Sequence, residues 1–138
     1  MRWGGPDTAV EVALKMAFQR ARQRGSRWFS IWTVDLVGNE ARNPTEVAQS
    51  DQTACIAPHW SPDGHSIVYC ALTRTPSPTE ASGSADLWSV AVDTGVRHKL
   101  TDGSAAAFNP AWSRSGRVYF VSNRSGAENI WSVPGDMG

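Results

Sequence analysis

The sequence predicts an all-β chain built from repeated antiparallel sheets, and three observations carry that prediction. The first is a repeated turn. "PHWSPDGHSIVYC" (58–70) aligns with "PAWSRSGRVYFV" (110–121), so that Pro58 meets Pro110, Trp60 meets Trp112 and Gly64 meets Gly116, each 52 positions apart. The second is a repeated tryptophan strand. "SIWTVDLVG" (30–38), "DLWSVAVDTG" (86–95) and "NIWSVPG" (129–135) place Trp32, Trp88 and Trp131 at one position. The third is composition: 7 Trp in 138 residues, with frequent Gly, Pro and Ser, suits a fold that buries large rings between many tight turns. Self-similarity at a fixed period of this length marks a repeat architecture.

Along the chain, each element follows from local chemistry. In "TAVEVALKMAF" the apolar residues Val10, Val12, Leu14, Met16 and Phe18 alternate strictly, the pattern of a strand with one buried face. Stepping back 51 from Ile67-Val68-Tyr69 lands on Met16-Ala17-Phe18, in agreement. A helix over 9–23 competes, with Thr8-x-x-Glu11 as a capping box and Gly25 as a stop. "RARQRGSR" (20–27) is a basic connection. "SIWTVDLVG" is the next strand, and "PTEVA" (44–48) closes the first unit. In the second unit a short strand ends in Pro58-His59-Trp60, and Ser61-Pro62-Asp63-Gly64 turns the chain. Proline presets φ, Asp tolerates the third turn position, and Gly supplies a positive φ. The third unit keeps Gly116, the residue with the steric requirement. "IVY" and "VYF" follow as second strands. "DLWSV" and the Asp93-Thr94-Gly95 turn come next, and "RHKLT" (97–101) closes the second unit.

Four strands in about 40 to 50 residues is the size of one propeller blade. The chain divides into an N-terminal extension (1–9), three propeller repeats (10–48, 55–101 and 107–134) and a tail (135–138). Three blades are too few to close a ring, since propellers have roughly 4 to 8. The expected architecture is therefore a partial β-propeller of about three blades. The chain is expected to be part of a longer propeller; standing alone, it would expose two apolar blade faces and associate with a second copy or another chain.

Charge and motifs narrow the function. With 13 basic and 13 acidic residues the chain is formally neutral, which argues against a nucleic-acid binder. No apolar run reaches membrane-spanning length, and no signal-peptide core is visible. No G-x-S-x-G elbow is present, and Ser61 and Ser113 read as turn residues, so no catalytic residue is assigned. His59, His65, His98, Cys55 and Cys70 show no zinc-ligand spacing. Asp63-Gly64, Asp93-x-Gly95 and Asp102-Gly103 lack the series of a calcium loop. No metal or cofactor is expected. Asn123-Arg124-Ser125 matches a glycosylation sequon and reads as a loop. If the hairpin turns about residues 62 and 63, Cys55 faces Cys70, and the choice between a cross-strand disulfide and two buried thiols stays open. The tryptophans at 32, 88 and 131 read as packing between blades.

The turns S-P-D-G and D-T-G join strands one to two and three to four, so they share one side of the disc. The longer connections emerge on the other side: 20–27, 72–85 and 123–128 within blades, 49–57 and 102–109 between them. Binding residues concentrate on such loops. The candidate interaction residues are Arg20, Arg22, Arg24, Arg27, Arg74, Asn109 and Arg124. Ser61, Pro62, Asp63, Gly64 and Gly116 are structural turn residues.

"PHWSPDGxxIVY" followed by "DLWSV…DTG…KLTDG" resembles the repeat of TolB-like β-propeller proteins, which is related to the propellers of prolyl-oligopeptidase-like proteins. The resemblance covers residues 10–134. It implies a six-bladed ring and a non-catalytic scaffold for protein–protein interaction, with a periplasmic or extracytoplasmic place in a bacterial cell envelope. The same repeat also serves as the accessory propeller of a serine peptidase, or as a carbohydrate- or ligand-sensing propeller. A fold of this kind does not by itself fix a function.

Overall fold

The computed structural model describes residues 14–22, 28–73 and 84–135. They form three antiparallel sheets, and each strand pairs with its sequence neighbour. Sheet one contains β1 (Leu14–Ala21), β2 (Phe29–Val37) and β3 (Glu40–Ala48). Sheet two contains β4 (Thr53–Trp60), β5 (Ser66–Thr73), β6 (Ala85–Ala91) and β7 (Arg97–Lys99). Sheet three contains β8 (Ala107–Trp112), β9 (Arg117–Ser122) and β10 (Asn129–Pro134). The alternation at 14–18 is therefore a strand. The competing capping box at Thr8 lies outside the described residues.

Each sheet has a rear face toward the preceding blade and a forward face toward the next. Cross-strand partners share a face, because side chains alternate along a strand. The rear face of blade two carries Cys55, Ile67, Tyr69, Ala71 and Val90, packed on Ile31 and Ala48 of blade one. Its forward face carries Val68, Cys70, Ala85 and Leu87, packed on Ala107, Trp112, Val118 and Phe120 of blade three. The core thus lies between blades, and each interface buries aromatic and branched side chains together.

The repeated turn is held by more than its glycine. The Ser61 Oγ donates to Asp63 Oδ1, the His65 amide donates to the same oxygen at 3.0 Å, and the Ser66 amide donates to Ser61 Oγ at 3.0 Å. Gly64 sits at φ 76° and Gly116 at φ 90°, a region that favours glycine. In the third blade Ser113 Oγ bonds Ser115 Oγ at 2.7 Å and donates to the Arg117 carbonyl at 2.9 Å. Ser113 therefore takes the place of Ser61, bonding the side chain two residues on, but it donates to the following backbone where Ser61 accepts from it.

Three edge strands carry the same irregularity. Asn43, Ala57 and Asn109 have φ of 56°, 56° and 53°, and each precedes a proline. The pairing register shifts at all three places. Proline has no amide for a ladder, so it is confined to edges and bulges. The freed Ala57 amide donates instead to Gln19 Oε1 of blade one at 2.8 Å. This bulge decides the cysteine question. The turn spans residues 62–65 rather than centring on 62 and 63, and the bulge then moves the register by one. Cys55 pairs with Ala71, and Ile56 pairs with Cys70. A one-residue displacement puts side chains on opposite faces. Cys55 accordingly lies in the core toward blade one and Cys70 in the core toward blade three, both as free thiols.

The outer end of blade two is closed by a buried relay. The Leu87 amide donates to Thr101 Oγ1 at 3.1 Å, and Thr101 Oγ1 donates to Asp86 Oδ1 at 2.8 Å. Lys99 Nζ stands 3.8 Å from the other Asp86 oxygen. This gives the "KLT" end of the repeat a physical role: it satisfies a carboxylate and an amide that β6 buries.

Candidate interaction face

Among the described residues, one charge pair marks where two of the connections meet. Arg22, at the start of the connection from β1 to β2, places Nη1 2.8 Å from Asp51 Oδ1, in the crossing from blade one to blade two. Asp102, in the crossing from blade two to blade three, is held below the usual carboxylate range chiefly by hydrogen bonds from the Ser104 side chain and backbone, with Arg124 of the 123–128 connection a lesser contributor. Asp51 and Asp102 are 51 positions apart, one repeat. An exposed pair such as Arg22–Asp51 contributes little to stability, and it leaves charged groups at the surface.

The candidate residues do not all behave alike. Arg20 belongs to β1 and lies over Trp32, 5.0 Å from the ring centre. Arg124 lies over Phe120 at 5.0 Å and Trp131 at 5.5 Å. Its Nε donates to Ser122 Oγ at 3.1 Å. Both guanidiniums roof an aromatic ring, a cation–π contact, so part of their surface serves packing. Asn109 falls within β8, at its bulge, and not on a connecting loop. The crossings are correspondingly shorter than the spacing suggested, because β4 starts at Thr53 and β8 at Ala107. Arg24, Arg27 and Arg74 lie outside the described residues.

The tryptophans are likewise graded. Trp88 packs against the core between blades one and two, as expected. Trp32 is half-buried and Trp131 is exposed to 36 %. Trp88 also has an arginine nearby, from a place the sequence did not single out. Arg97 of β7, with Trp88, Tyr69, Ala71, Ser50 and Thr53, lines an open pocket of about 210 Å³ on blade two beside the crossing from blade one. Arg97 Nη1 donates to the Gln49 carbonyl at 3.1 Å. Only a three-dimensional neighbourhood brings residue 97 to residue 49.

Burial raises the pKa of three side chains. Burial pushes the Tyr69 phenol up to about 12, against a hydrogen bond from Arg97, and pushes the Cys70 thiol up to about 12. Burial also raises Cys55. None of these is poised as a nucleophile, since the thiolate is the reactive form. Among the described residues no three His, Cys, Asp or Glu side chains converge as a metal site, and no helix is long and apolar enough to cross a membrane.

No protein-family model matches the chain. An uncharacterised protein of Agrobacterium fabrum is 37 % identical over 75 residues, which is 54 % of this chain and 23 % of that protein. The Tol-Pal system protein TolB of Pelagibacter ubique is 39 % identical over 57 residues, 41 % of this chain and 12 % of that one. Among solved structures, one described as a TolB of Agrobacterium tumefaciens superposes with a TM-score of 0.68 at 26 % identity. It matches 87 % of this chain and 38 % of its own. TolB of Acinetobacter baumannii has the same fold, with a TM-score of 0.63 at 18 % identity over 86 % of this chain and 26 % of its own. The chain spans well under half the length of each of these proteins. Repeat, blade order and superposition agree: this chain is a partial β-propeller of the TolB-like type.

Proposed function

We propose that the chain is part of a non-catalytic propeller scaffold that docks a protein partner in a bacterial cell envelope, outside the cytoplasm. The observation that carries this reading is the asymmetry of the disc. One side is made of short turns whose polar side chains bond inward, as Ser61 and Asp63 do. The other carries the Arg22–Asp51 pair, with Asp102 in the next crossing and Arg124 in the 123–128 connection. Loops on a rigid scaffold are where recognition is built, and charged rims steer and select partners. The similarity to a Tol-Pal system protein supports the envelope setting.

The test is charge reversal on each side. Arg22→Glu combined with Arg24→Glu is expected to weaken a complex captured from an envelope extract about tenfold or more, while Asp93→Lys on the short-turn side leaves it intact. The reverse pattern would overturn the docking side.

A further inference from the structure

Blade two leaves open a space that the corresponding side chains of blades one and three cover. Each blade pairs an aromatic ring with a tryptophan across the ladder: Phe18 with Trp32, Tyr69 with Trp88 and Phe120 with Trp131. In blade one Arg20, two residues after Phe18, lies over Trp32. In blade three Arg124, four residues after Phe120, lies over both Phe120 and Trp131. Blade two has Ala71 and Thr73 at those two offsets from Tyr69. Neither side chain is long enough to roof a ring. The open space is the pocket of about 210 Å³ bounded by Tyr69, Ala71 and Trp88, with Ser50, Thr53 and Arg97 around them.

Arg97 gives the pocket its sign. Its side chain is exposed, and it bonds the Gln49 carbonyl and the Tyr69 phenol, both uncharged. Among the described residues it has no carboxylate partner, while Asp51 is paired with Arg22, Glu46 accepts from Ser30, and Asp86 is held by Thr101 and Lys99. A second cation would meet a like charge there. A carboxylate would meet a planar fork with donors to spare. The two rings and Ala71 make the floor apolar, which suits an apolar body behind that carboxylate. Pockets for whole small molecules run to about 300–1,000 Å³, so this one fits a single side chain of something larger. Ser50 adjoins Asp51, which sets the pocket beside the Arg22–Asp51 pair. We propose that the pocket takes the carboxy-terminal residue of a partner polypeptide, with its apolar side chain over Trp88 and Ala71 and its terminal carboxylate on Arg97. This rests on the docking reading above for the existence of a protein partner, and it adds what that partner presents.

The test is an NMR titration of the whole chain with the peptide acetyl-Ala-Ala-Phe, free at its carboxylate. The Trp88 indole signal is identified by its loss in Trp88→Phe. The peptide is expected to shift that signal, with a Kd of about a millimolar for so small a contact. Its carboxamide form is expected to bind about tenfold more weakly or worse. So is acetyl-Ala-Glu-Ala carboxamide, which offers an internal carboxylate instead. Arg97→Gln should erase the difference between acid and amide, which a purely structural arginine would not do. If Arg97→Gln does not fold, the three peptides on the unaltered chain decide. No shift at millimolar peptide, equal binding of acid and amide, or an acid preference that survives Arg97→Gln would each overturn the proposal. So would binding of the internal glutamate peptide as tight as the acid, or shifts at another indole in place of Trp88. No captured partner enters this titration, so its failure leaves the charge-reversal test of the docking side standing, and failure of that test leaves the peptide result unchanged.

Discussion

Phe120→Ala is expected to cost about 3–5 kcal/mol, enough to unfold the chain or bring it to the edge of unfolding at ordinary temperature. Phe120 is 1 % exposed and sits at the centre of the core between blades two and three, among Val68, Cys70, Leu87 and Val118. It pairs across the ladder with Trp131, and Arg124 stacks on both rings. Truncation therefore removes more than one ring's transfer energy. It leaves a cavity in a packed layer and takes away half the platform that holds a guanidinium with one buried, unpartnered Nη2. Urea denaturation followed by tryptophan fluorescence reads the loss. A change below about 1 kcal/mol would show that this layer is not the core.

Alkaline unfolding is the second large effect. Native Cys70 and Tyr69 ionise only near about 12, whereas the unfolded chain ionises them near 9.0 and 10.0. Below those unfolded values the stabilisation from keeping them neutral is fully present. It is lost as pH rises from 9 through about 12, because only the unfolded state releases the protons. The combined loss is several kcal/mol, comparable to the whole stability of a small domain. The expected result is cooperative unfolding inside that window. Thiol reagents should leave Cys55 and Cys70 untouched near pH 8 until the protein is denatured. Rapid modification of the native protein at pH 8 would contradict the burial.

The repeat was legible because its signals are local. Trp32, Trp88 and Trp131, and the glycines at 64 and 116, stand at fixed offsets whose chemistry is set by strand alternation and turn geometry. Those signals place the strands correctly, including the short strand at 14–21 that helix propensity alone would misassign. The pairing register was less legible. It depends on a bulge at Ala57 and Asn109, where a non-glycine residue takes positive φ ahead of a proline. The Asn109-Pro110 and Ala57-Pro58 steps hint at it, but nothing in the residue type of Ala57 demands that conformation. A single extra residue there separated two cysteines that sequence distance alone set opposite each other.

The proposed interaction side can be read from the sequence as loops, and less so as residues. The basic run at 20–27 suggested exposed charge, yet Arg20 and Arg124 partly serve to cover Trp32 and Trp131. Long side chains with flat cationic heads can pack and face solvent at once, and sequence does not separate the two roles. Arg97 was missed for the opposite reason. It lies in a short outer strand that looks purely structural, and its importance comes from reaching across to blade one at the Gln49 carbonyl.

Backbone amide exchange of the chain, alone and with a captured envelope partner, tests the docking claim most directly. Partner-dependent protection is expected at residues 20–22, 49–52, 102–106 and 123–128, with no change at 62–65 and 93–96. Protection confined to those short turns would contradict the account.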